Sequence, residues 1–347
     1  MQIVTAEFVS GKKVLLRYDL DVPIENGQVM DDFRLKAGLP TLKLCLEHAS
    51  QVILMGHVGR PNGEDPKFSV APIYQWFMGQ DNLRSHMESG KLKLLENLRF
   101  EEGESFDSAQ DLRDENINFA KELAALGDVY VNEAFAAYRK AASTTVLPTL
   151  LPQAAGLNFA KEVRILGELR DNPKKPLIVI MGGAKVQDKL PVIQVMAKIA
   201  DKVLVGGKLV KEIKDLNMSV PSNAELGELT ENGLDILEES IRGWREEIKG
   251  AKMIVWNGPM GRIEEEETLG TMLLAQIILE SEAEVIVGGG DTVGFLKTAG
   301  LLEKFEQKGL PAGRQGFVSS GGGAMLKFLS EGTLPAIEVL GLIDSKY

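Results

Sequence analysis

The chain has 347 residues, which is enough for about two domains of typical size. Its hydrophobic fraction of 44% and charged fraction of 26% are those of a globular protein, and they argue against a disordered or membrane-embedded chain. The formal net charge of −11 argues against broad affinity for nucleic acid or acidic membranes, so an anionic ligand needs a local cluster of positive charge.

The N-terminal sequence MQIVTAEFVSGKK lacks the charged-then-apolar order of a signal peptide, so we expect a cytoplasmic protein. Cys45 is the only cysteine, which excludes an intrachain disulfide and a cysteine-based zinc site. We interpret it as a buried core thiol.

Four strand-like runs follow in the first half of the chain, and polar side chains come at their ends. The runs are KKVLLRYDLDVP (12–23), QVILMGHVGRP (51–61), KLKLLENLRF (91–100) and DVYVNEAFAAYRK (128–140). Basic residues lie at or shortly after these ends: Arg17, Arg34, His57, Arg60, Arg99, Arg139 and Lys140. Because arginine holds carboxylates and phosphates with two hydrogen bonds, this set predicts an anionic substrate, although some members could be ordinary surface charges.

Two aspartates follow the first of these strands. Asp19 and Asp21 alternate with Leu20, so both carboxylates could face one edge of the sheet and accept hydrogen bonds from a substrate hydroxyl. His57 has a second interpretation, as a histidine fixed within a turn.

A helical segment, NFAKEVRILGELRDNPKKP (158–176), separates the two halves of the chain. Its apolar residues Phe159, Val163, Leu166 and Leu169 fall on roughly one face, and Asn172-Pro173 ends the pattern. We therefore place the domain boundary near this helix.

In the second half, five aliphatic runs each end in glycine. They are LIVIMGGAK (177–185), KVLVGGK (202–208), MIVWNGPMG (253–261), EVIVGGGD (284–291) and GFVSSGGGA (316–324). Helical patterns such as Asp188–Ile199 and Thr271–Leu279 follow most of them, which predicts successive βα units around a parallel sheet. Ligands of such sheets bind beyond the carboxyl ends of the strands, where these glycines lie.

Glycine-rich turns of this kind let backbone N–H groups approach phosphate oxygens at a helix N-terminus. Lys185 and Lys189 are spaced to lie on one helix face after Gly182-Gly183, and Asp291 is the carboxylate best placed for Mg²⁺. Tight βα packing, surface lysines and a simple helix cap are the structural alternatives. The absence of GxxxxGK[ST] and GxGxxG argues against a P-loop enzyme and a nicotinamide dehydrogenase.

Taken together, nine motifs resemble those of the phosphoglycerate kinase family over nearly the whole chain. They are RYDLDVP (17–23), DDFRLKAGLPTL (31–42), GHVGRPNGEDPKFSVAP (56–72), LLENLRFEEGE (94–104), DVYVNEAF (128–135), GGAKVQDK (182–189), VWNGPMG (255–261), VGGGDT (287–292) and SSGGGA (319–324). The resemblance implies a kinase that moves the acyl phosphate of 1,3-bisphosphoglycerate onto MgADP, giving 3-phosphoglycerate and ATP. A non-catalytic relative that binds nucleotide or anion is the alternative.

The resemblance also implies roles for particular residues. The substrate site comprises Asp19, Asp21, Arg34, His57, Arg60, Arg99 and either Arg139 or Lys140. The nucleotide site comprises Lys185, Lys189, Gly206, Gly207, Asn257, Glu264, Gly289, Gly290, Asp291 and Thr292, with Asp291 also the Mg²⁺ ligand. The transferred phosphoryl group is surrounded by Lys185, Arg34 and the amides of Gly321, Gly322 and Gly323.

Several positions depart from the family pattern. Asp21 stands where the family usually has asparagine, which places an additional carboxylate beside an anionic ligand and predicts weaker binding. Lys140 takes the place of an arginine, and Lys208 that of a third glycine after Gly206-Gly207. The chain is shorter than usual near 77–91 and 208–250, and QKGLPAGRQG (307–316) resembles an inserted loop.

These inferences predict two doubly wound parallel-sheet α/β domains joined by an interdomain helix and hinge. We expect a phosphoglycerate-binding domain at 1–157, the helix and linker at 158–175, and a nucleotide-binding domain at 176–330. Residues 331–347 are expected to return to the first domain. We expect a monomer that binds small-molecule substrates and Mg²⁺ and neither nucleic acid nor membrane.

Overall fold

The computed structural model describes residues 2–106, 112–307 and 316–341. The chain divides into two compact units: unit 1 is Met1–Arg164 with Thr333–Tyr347, and unit 2 is Ile165–Gly332. The expected loop at 307–316 and the end of the expected segment 331–347 lie mainly outside the described residues.

Strands from both halves of the chain alternate with helices. The strands are β1 (Lys13–Arg17), β2 (Ile24–Glu25), β3 (Gln28–Val29), β4 (Gln51–Met55), β5 (Leu92–Leu94), β6 (Val129–Asn132), β7 (Gln153–Ala155), β8 (Leu177–Met181), β9 (Lys202–Val205), β10 (Ala224–Leu226), β11 (Met253–Asn257), β12 (Glu284–Gly288) and β13 (Phe317–Val318).

The α-helices are α1 (Ala6–Val9), α2 (Phe33–Ala37), α3 (Leu39–His48), α4 (Ala71–Met78), α5 (Asp81–Glu88), α6 (Asp114–Ala124), α7 (Leu157–Asp171), α8 (Val186–Met196), α9 (Lys208–Asp215), α10 (Glu238–Gly243), α11 (Arg245–Gly250), α12 (Leu269–Glu280), α13 (Gly290–Thr298), α14 (Leu302–Gln307), α15 (Gly323–Glu331) and α16 (Pro335–Val339). Within the described residues, no helix combines the length and the apolar character that crossing a bilayer requires.

The main sheet of unit 1 has five parallel strands in the order β5-β4-β1-β6-β7. The order reverses between β1 and β6, so the loops after these two strands diverge and leave a crevice at the carboxyl edge. Arg17 at the end of β1 lies opposite Met55 of β4 and Asn132 of β6. The polar residues that follow these strands are thereby brought to one place.

Unit 2 repeats this plan with six parallel strands in the order β10-β9-β8-β11-β12-β13. Every residue of β8 and β11 is buried, as expected for strands covered on both faces by helices. The prediction of two doubly wound parallel-sheet α/β domains is confirmed.

The structure differs from the local predictions in the ends of one helix and in several short strands. The helix expected over Asp188–Ile199 begins earlier, at Val186, and ends earlier, at Met196. The strands β7 and β10 were not predicted, because three residues are too few to show a hydrophobic period.

Candidate active site

A cavity of about 530 Å³ opens at the carboxyl edge of the sheet in unit 1. Six of the residues expected to bind substrate line it: Asp21, His57, Arg60, Arg99, Arg139 and Lys140. These residues follow β1, β4, β5 and β6 in the chain. The cavity therefore coincides with the crevice where the strand order reverses. Three glutamates that sequence reasoning did not select line the same cavity: Glu101, Glu102 and Glu104.

Arg34 links the two aspartates that follow β1. Its Nη1 donates a hydrogen bond to the backbone oxygen of Asp21 at 2.7 Å and lies 3.9 Å from the Oδ2 of the same residue. Its Nε lies 3.9 Å from Oδ2 of Asp19. The other carboxylate oxygen of Asp21 accepts the backbone N–H of Gly59 at 2.8 Å. Asp21 is therefore held by Arg34 and by the loop after β4.

Asp19 is almost entirely buried, and its Oδ2 accepts no hydrogen bond from any described residue. Burial raises the pKa of its carboxyl, while the nearby Arg34 guanidinium opposes that rise. A buried acceptor without a donor is costly, so Asp19 is suited to accept a hydrogen bond from a ligand hydroxyl.

His57 is buried between charged groups and is not one of the cations of the cavity. Arg17 Nη2 lies 2.8 Å from His57 Nδ1. Burial, followed by the positive charges of Arg17, Arg99 and Arg34, lowers the pKa of His57 well below its ordinary value. The inclusion of His57 among the positive charges is therefore wrong, and the ring is a neutral hydrogen-bonding group at neutral pH.

The remaining cations differ in how firmly they are held. Arg99 is half-buried, and its Nη1 donates to the backbone oxygen of Gly59. Arg60 and Arg139 are exposed, and Lys140 is half-buried. Since both Arg139 and Lys140 line the cavity, the choice between them as the substrate contact stays open.

Arg17 and Glu104, which also line the cavity, belong to a buried hydrogen-bonded group that the sequence did not reveal. Arg17 donates from Nε to Ser143 Oγ at 2.9 Å, and Ser143 Oγ donates to Glu104 Oε1 at 2.6 Å. Glu104 and Ser143 are 39 residues apart in sequence, and Ser143 lies in a short π-helical turn at Ala142–Val146. Glu104 belongs to LLENLRFEEGE (94–104), but no spacing in the sequence indicates that its partner is Ser143.

In unit 2, the turns after β8, β9 and β11 pack closely against each other. The N–H of Gly183 donates to the backbone oxygen of Pro259 at 2.7 Å. A Cβ on Gly207 would lie 2.8 Å from that oxygen and 2.9 Å from the nitrogen of Gly183. Only glycine fits this junction, because Gly207 also has a φ of +68°.

The two lysines that follow β8 occupy different environments. Lys185 is exposed and precedes α8 in the left-handed conformation, with φ of +67°. Lys189 lies on α8, and its Nζ donates to the backbone oxygen of Gly182. Burial lowers the pKa of Lys189 to about 8, although the charge of Asp291 opposes that change. The prediction that both lysines share one helix face is wrong, because Lys185 lies outside the helix.

Polar groups at the ends of β11 and β12 meet around Asn257. Asn257 is buried, its Nδ2 has no hydrogen-bond partner among the described residues, and a Cβ on Gly289 would lie 3.3 Å from that nitrogen. The hydroxyl of Thr292 accepts the N–H of Gly258 at 2.8 Å, so Thr292 holds the neighbouring turn. Gly290 and Asp291 are exposed in the first turn of α13.

The last two predicted groups lie on short turns. Glu264 is exposed within a 3₁₀ turn at Ile263–Glu265. Gly321, Gly322 and Gly323 connect β13 to the N-terminus of α15, and Gly322 has a φ of +47°. The Gly321 N–H already donates to Ser319 Oγ at 3.1 Å, so this amide is not an unused donor.

Comparison with known proteins gives one consistent result. A family model described as "Phosphoglycerate kinase" matches residues 4–220 and 211–332. The chain is 34% identical to a phosphoglycerate kinase of Dictyoglomus turgidum, with 96% of each chain covered. It is also 34% identical to one of Thermus thermophilus, with 95% of this chain and 97% of the relative covered.

Solved structures agree with these relatives. The phosphoglycerate kinase of Coxiella burnetii matches with a TM-score of 0.74 at 28% identity, covering 96% of this chain and 97% of that chain. The enzyme of Pyrococcus horikoshii OT3 matches with a TM-score of 0.76 at 25% identity, covering 96% of each chain. The alignment with the Dictyoglomus relative spans 400 positions against 347 residues here, so this member is shortened. Family model, sequence relatives and fold lead to one conclusion: the chain belongs to the phosphoglycerate kinase family.

Proposed function

We propose that this protein is a phosphoglycerate kinase, which transfers the acyl phosphate of 1,3-bisphosphoglycerate to MgADP and yields 3-phosphoglycerate and ATP. Besides membership of the family, the observation that supports this most is the cavity of about 530 Å³ in unit 1. Its cationic side chains follow several different strands, although the chain as a whole carries a net charge of −11. Four acidic side chains also line the cavity, but its guanidinium groups suit a small molecule that bears both a carboxylate and a phosphate.

Binding of 3-phosphoglycerate is assigned to residues that line this cavity and to Asp19 and Arg34, which are not among its lining residues but lie next to Asp21. Arg60, Arg99 and either Arg139 or Lys140 supply the positive charge for the phosphate. Asp19, whose buried Oδ2 has no donor among the described residues, accepts a hydrogen bond from the substrate hydroxyl. Arg34, next to both aspartates, faces the carboxyl end of the substrate in this assignment.

The glycine-rich edge of unit 2 is the proposed nucleotide site. Asn257 Nδ2 is a buried donor that lacks a partner among the described residues, and a phosphate oxygen would satisfy it. Lys189 adds a buried positive charge whose pKa an anionic ligand would raise again. Gly206, Gly207, Glu264, Gly289, Gly290 and Thr292 complete the proposed nucleotide site.

Asp291 is the residue proposed to hold Mg²⁺ together with the nucleotide. Among the described residues, no three His, Cys, Asp or Glu side chains form a group that would hold a metal ion alone. A single exposed carboxylate nevertheless fits Mg²⁺, because this ion takes most of its ligands from phosphate oxygens and water. When bound, Mg²⁺ would neutralise phosphate charge.

The chemistry itself needs no covalent intermediate with the protein. An oxygen of the β-phosphate of ADP attacks the phosphorus, the bond between phosphorus and the acyl oxygen breaks, and 3-phosphoglycerate leaves as a carboxylate. Because a carboxylate is a stable leaving group, no proton has to be supplied to it. The protein therefore acts by positioning and by neutralising charge on the phosphoryl group, the role proposed for Lys185, Arg34 and the turn at Gly321–Gly323.

A coupled assay of ATP formation from 1,3-bisphosphoglycerate and MgADP tests this proposal. The wild-type protein should turn over, whereas a non-catalytic relative would bind both ligands without forming ATP. Lys185→Ala should lower kcat by about 100-fold or more, because a charge contact made in the transition state is lost. The Kd for MgADP should change by less than about 3-fold, since Lys185, although part of the expected nucleotide site, is assigned mainly to the phosphoryl group in transfer.

Lys198→Ala is the matched control, since Lys198 is an exposed lysine just beyond the other end of α8. It should leave kcat unchanged. If Lys185→Ala weakened MgADP binding and preserved kcat, Lys185 would be a nucleotide contact and not a contact of the transferred group.

A further inference from the structure

Buried polar side chains form a chain of hydrogen bonds that ends on the ring of His57. It runs from Glu104 through Ser143 to Arg17 and then to the imidazole. Arg17 and Glu104 are each 1% exposed and Ser143 is 0% exposed. Burial of two ionised groups is costly, so their geometry has to be firmly determined.

The direction of every hydrogen bond in this chain follows from the guanidinium, which has only donors. Since Arg17 Nε donates to Ser143 Oγ at 2.9 Å, the hydroxyl proton of Ser143 is directed to Glu104 Oε1 at 2.6 Å. The backbone N–H of Ser143 donates to the other carboxylate oxygen at 3.0 Å. Arg17 Nη1 donates to the backbone oxygen of Tyr18 at 2.9 Å. The plane of the guanidinium is thereby fixed.

The remaining Arg17 nitrogen determines the proton position on His57. Nη2 lies 2.8 Å from Nδ1, and because Nη2 can only donate, Nδ1 has to accept. The ring proton then resides on Nε2, which lies 3.9 Å from Asp21 Oδ2, and both of these residues line the cavity. Protonation of Nδ1 would bring two donors together.

We propose that Arg17 is a positioning residue that fixes the ring of His57 so that its Nε2–H donates to the anionic substrate in the cavity. This inference rests on the proposed binding of 3-phosphoglycerate at that site. Arg17 acts through His57. This role requires a rigid guanidinium, because two different nitrogens of Arg17 contact Ser143 and His57. A positive charge alone does not replace it.

The proposal is tested on the ring nitrogens themselves by NMR of the ¹⁵N-histidine-labelled protein. The chain has three histidines, and His57→Gln identifies the signals of His57. In the wild type we expect a protonated Nε2 and an unprotonated Nδ1 that do not titrate between about pH 5.5 and 8. The charged groups facing the ring are Arg17, Arg34, Arg60, Arg99 and Asp21. Arg17→Met removes the one that contacts Nδ1, so the titration midpoint of His57 should rise.

Kinetics separate positioning from simple charge. Arg17→Met and Arg17→Lys should each raise the KM for 3-phosphoglycerate by about 10-fold, because a hydrogen bond to a charged ligand is misaligned. The kcat should stay within about 2-fold, since this contact exists in both ground and transition states. Arg84→Met is the matched control, an exposed arginine on α5 that should leave both the KM and the His57 signals unchanged.

Three results would overturn the inference: a wild-type proton on Nδ1, unchanged His57 signals in Arg17→Met, or a KM restored by Arg17→Lys. If Arg17→Met fails to fold, Ser143→Ala takes its place, because it removes the acceptor for Arg17 Nε, together with the hydroxyl donor to Glu104, and should also raise the KM. If the NMR results are as expected but the wild type binds no 3-phosphoglycerate, the proposed function is wrong, whereas the positioning of the His57 ring by Arg17 is confirmed.

Discussion

At the scale of single residues, Asp21 combines a structural contact with an electrostatic one. Its Oδ1 accepts the Gly59 N–H, while its Oδ2 lies 3.9 Å from both Arg34 Nη1 and His57 Nε2. The hydrogen bond from Gly59 orders the loop after β4, and any side-chain carbonyl oxygen at this position could accept it. The negative charge near Arg34 and His57 occupies two groups that an anionic substrate would also use, so Asp21 competes with the substrate.

We therefore expect Asp21→Asn to tighten the binding of 3-phosphoglycerate, measured by calorimetry. The oxygen that accepts from Gly59 is retained, whereas the charge beside Arg34 is removed. Because the carboxylate of Asp21 is partly exposed, the gain should be no more than about 1 kcal/mol, or roughly 5-fold in Kd. The gain should shrink in 0.5 M salt, because the screening length falls from about 10 Å at 0.1 M salt towards about 3 Å at 1 M salt.

Glu102→Gln is the control for this prediction, since Glu102 lines the same cavity and also loses a negative charge. It should tighten binding less than Asp21→Asn. Equal gains from both variants would mean that the summed charge of the cavity matters and that the contact with Arg34 and His57 does not.

At the scale of elements, the βα turns of unit 2 depend on backbone packing that side chains would obstruct. Five parallel strands predicted from their aliphatic runs are present as β8, β9, β11, β12 and β13. Their glycines were predicted to face phosphate, but some of them also let the turns contact each other. Gly183, Gly207 and Pro259 form such a junction.

Two glycines with nearly the same backbone φ allow the cost of backbone strain to be measured separately from the cost of a steric clash. Gly207 has φ of +68° and Gly300 has φ of +67°, but a Cβ on Gly300 would meet nothing within 4 Å. Gly300→Ala should therefore cost only the strain of the left-handed conformation, about 1–2 kcal/mol of unfolding free energy, and should leave MgADP binding unchanged. Gly207→Ala should cost more and should weaken MgADP binding, because Pro259 or Gly183 has to move. Chemical denaturation and calorimetry of the two variants measure both effects, and equal losses would contradict the packing argument.

At the scale of the whole molecule, the chain returns to unit 1 after completing unit 2. Helix α16 belongs to unit 1, and its carbonyl at Val339 accepts a hydrogen bond from Gln153 Nε2 at 2.9 Å. Leu334, Ile337 and Leu340 are all buried. The last described residues therefore contribute to the core of the unit in which the chain began.

Removal of residues 333–347 should destabilise unit 1 selectively. Each of the three buried aliphatic side chains contributes about 1.5–3 kcal/mol, so their loss approaches the total stability of a typical domain. We expect calorimetry to show loss of 3-phosphoglycerate binding with MgADP binding retained. The control removes only residues 342–347 and leaves the described contacts of α16 in place, so it should bind both ligands. Retained 3-phosphoglycerate affinity in the longer deletion would contradict this role of α16.

The sequence by itself determined the fold class and the family of this protein, because aliphatic runs ending in glycine or charge are local patterns that a parallel sheet requires. It also selected six of the residues that line the cavity, since a residue that follows a parallel strand has to lie at the carboxyl edge. The sequence did not predict three-residue strands such as β7 and β10. They form by pairing with a neighbouring strand, and three residues are too few to show an alternation of hydrophobic and polar positions.

Only the tertiary structure decided how charged groups pair. Contacts between distant segments bring Ser143 to Arg17 and Arg17 to His57, and burial followed by the charge of Arg17 lowers the pKa of that histidine. The fold also places Lys185 outside the helix that carries Lys189. Protonation and hydrogen-bond direction depend on burial and on the nearest charges, and neither quantity is encoded in the order of neighbouring residues. The residue types at the site were therefore readable from the sequence, whereas their electrostatic states were set by the fold.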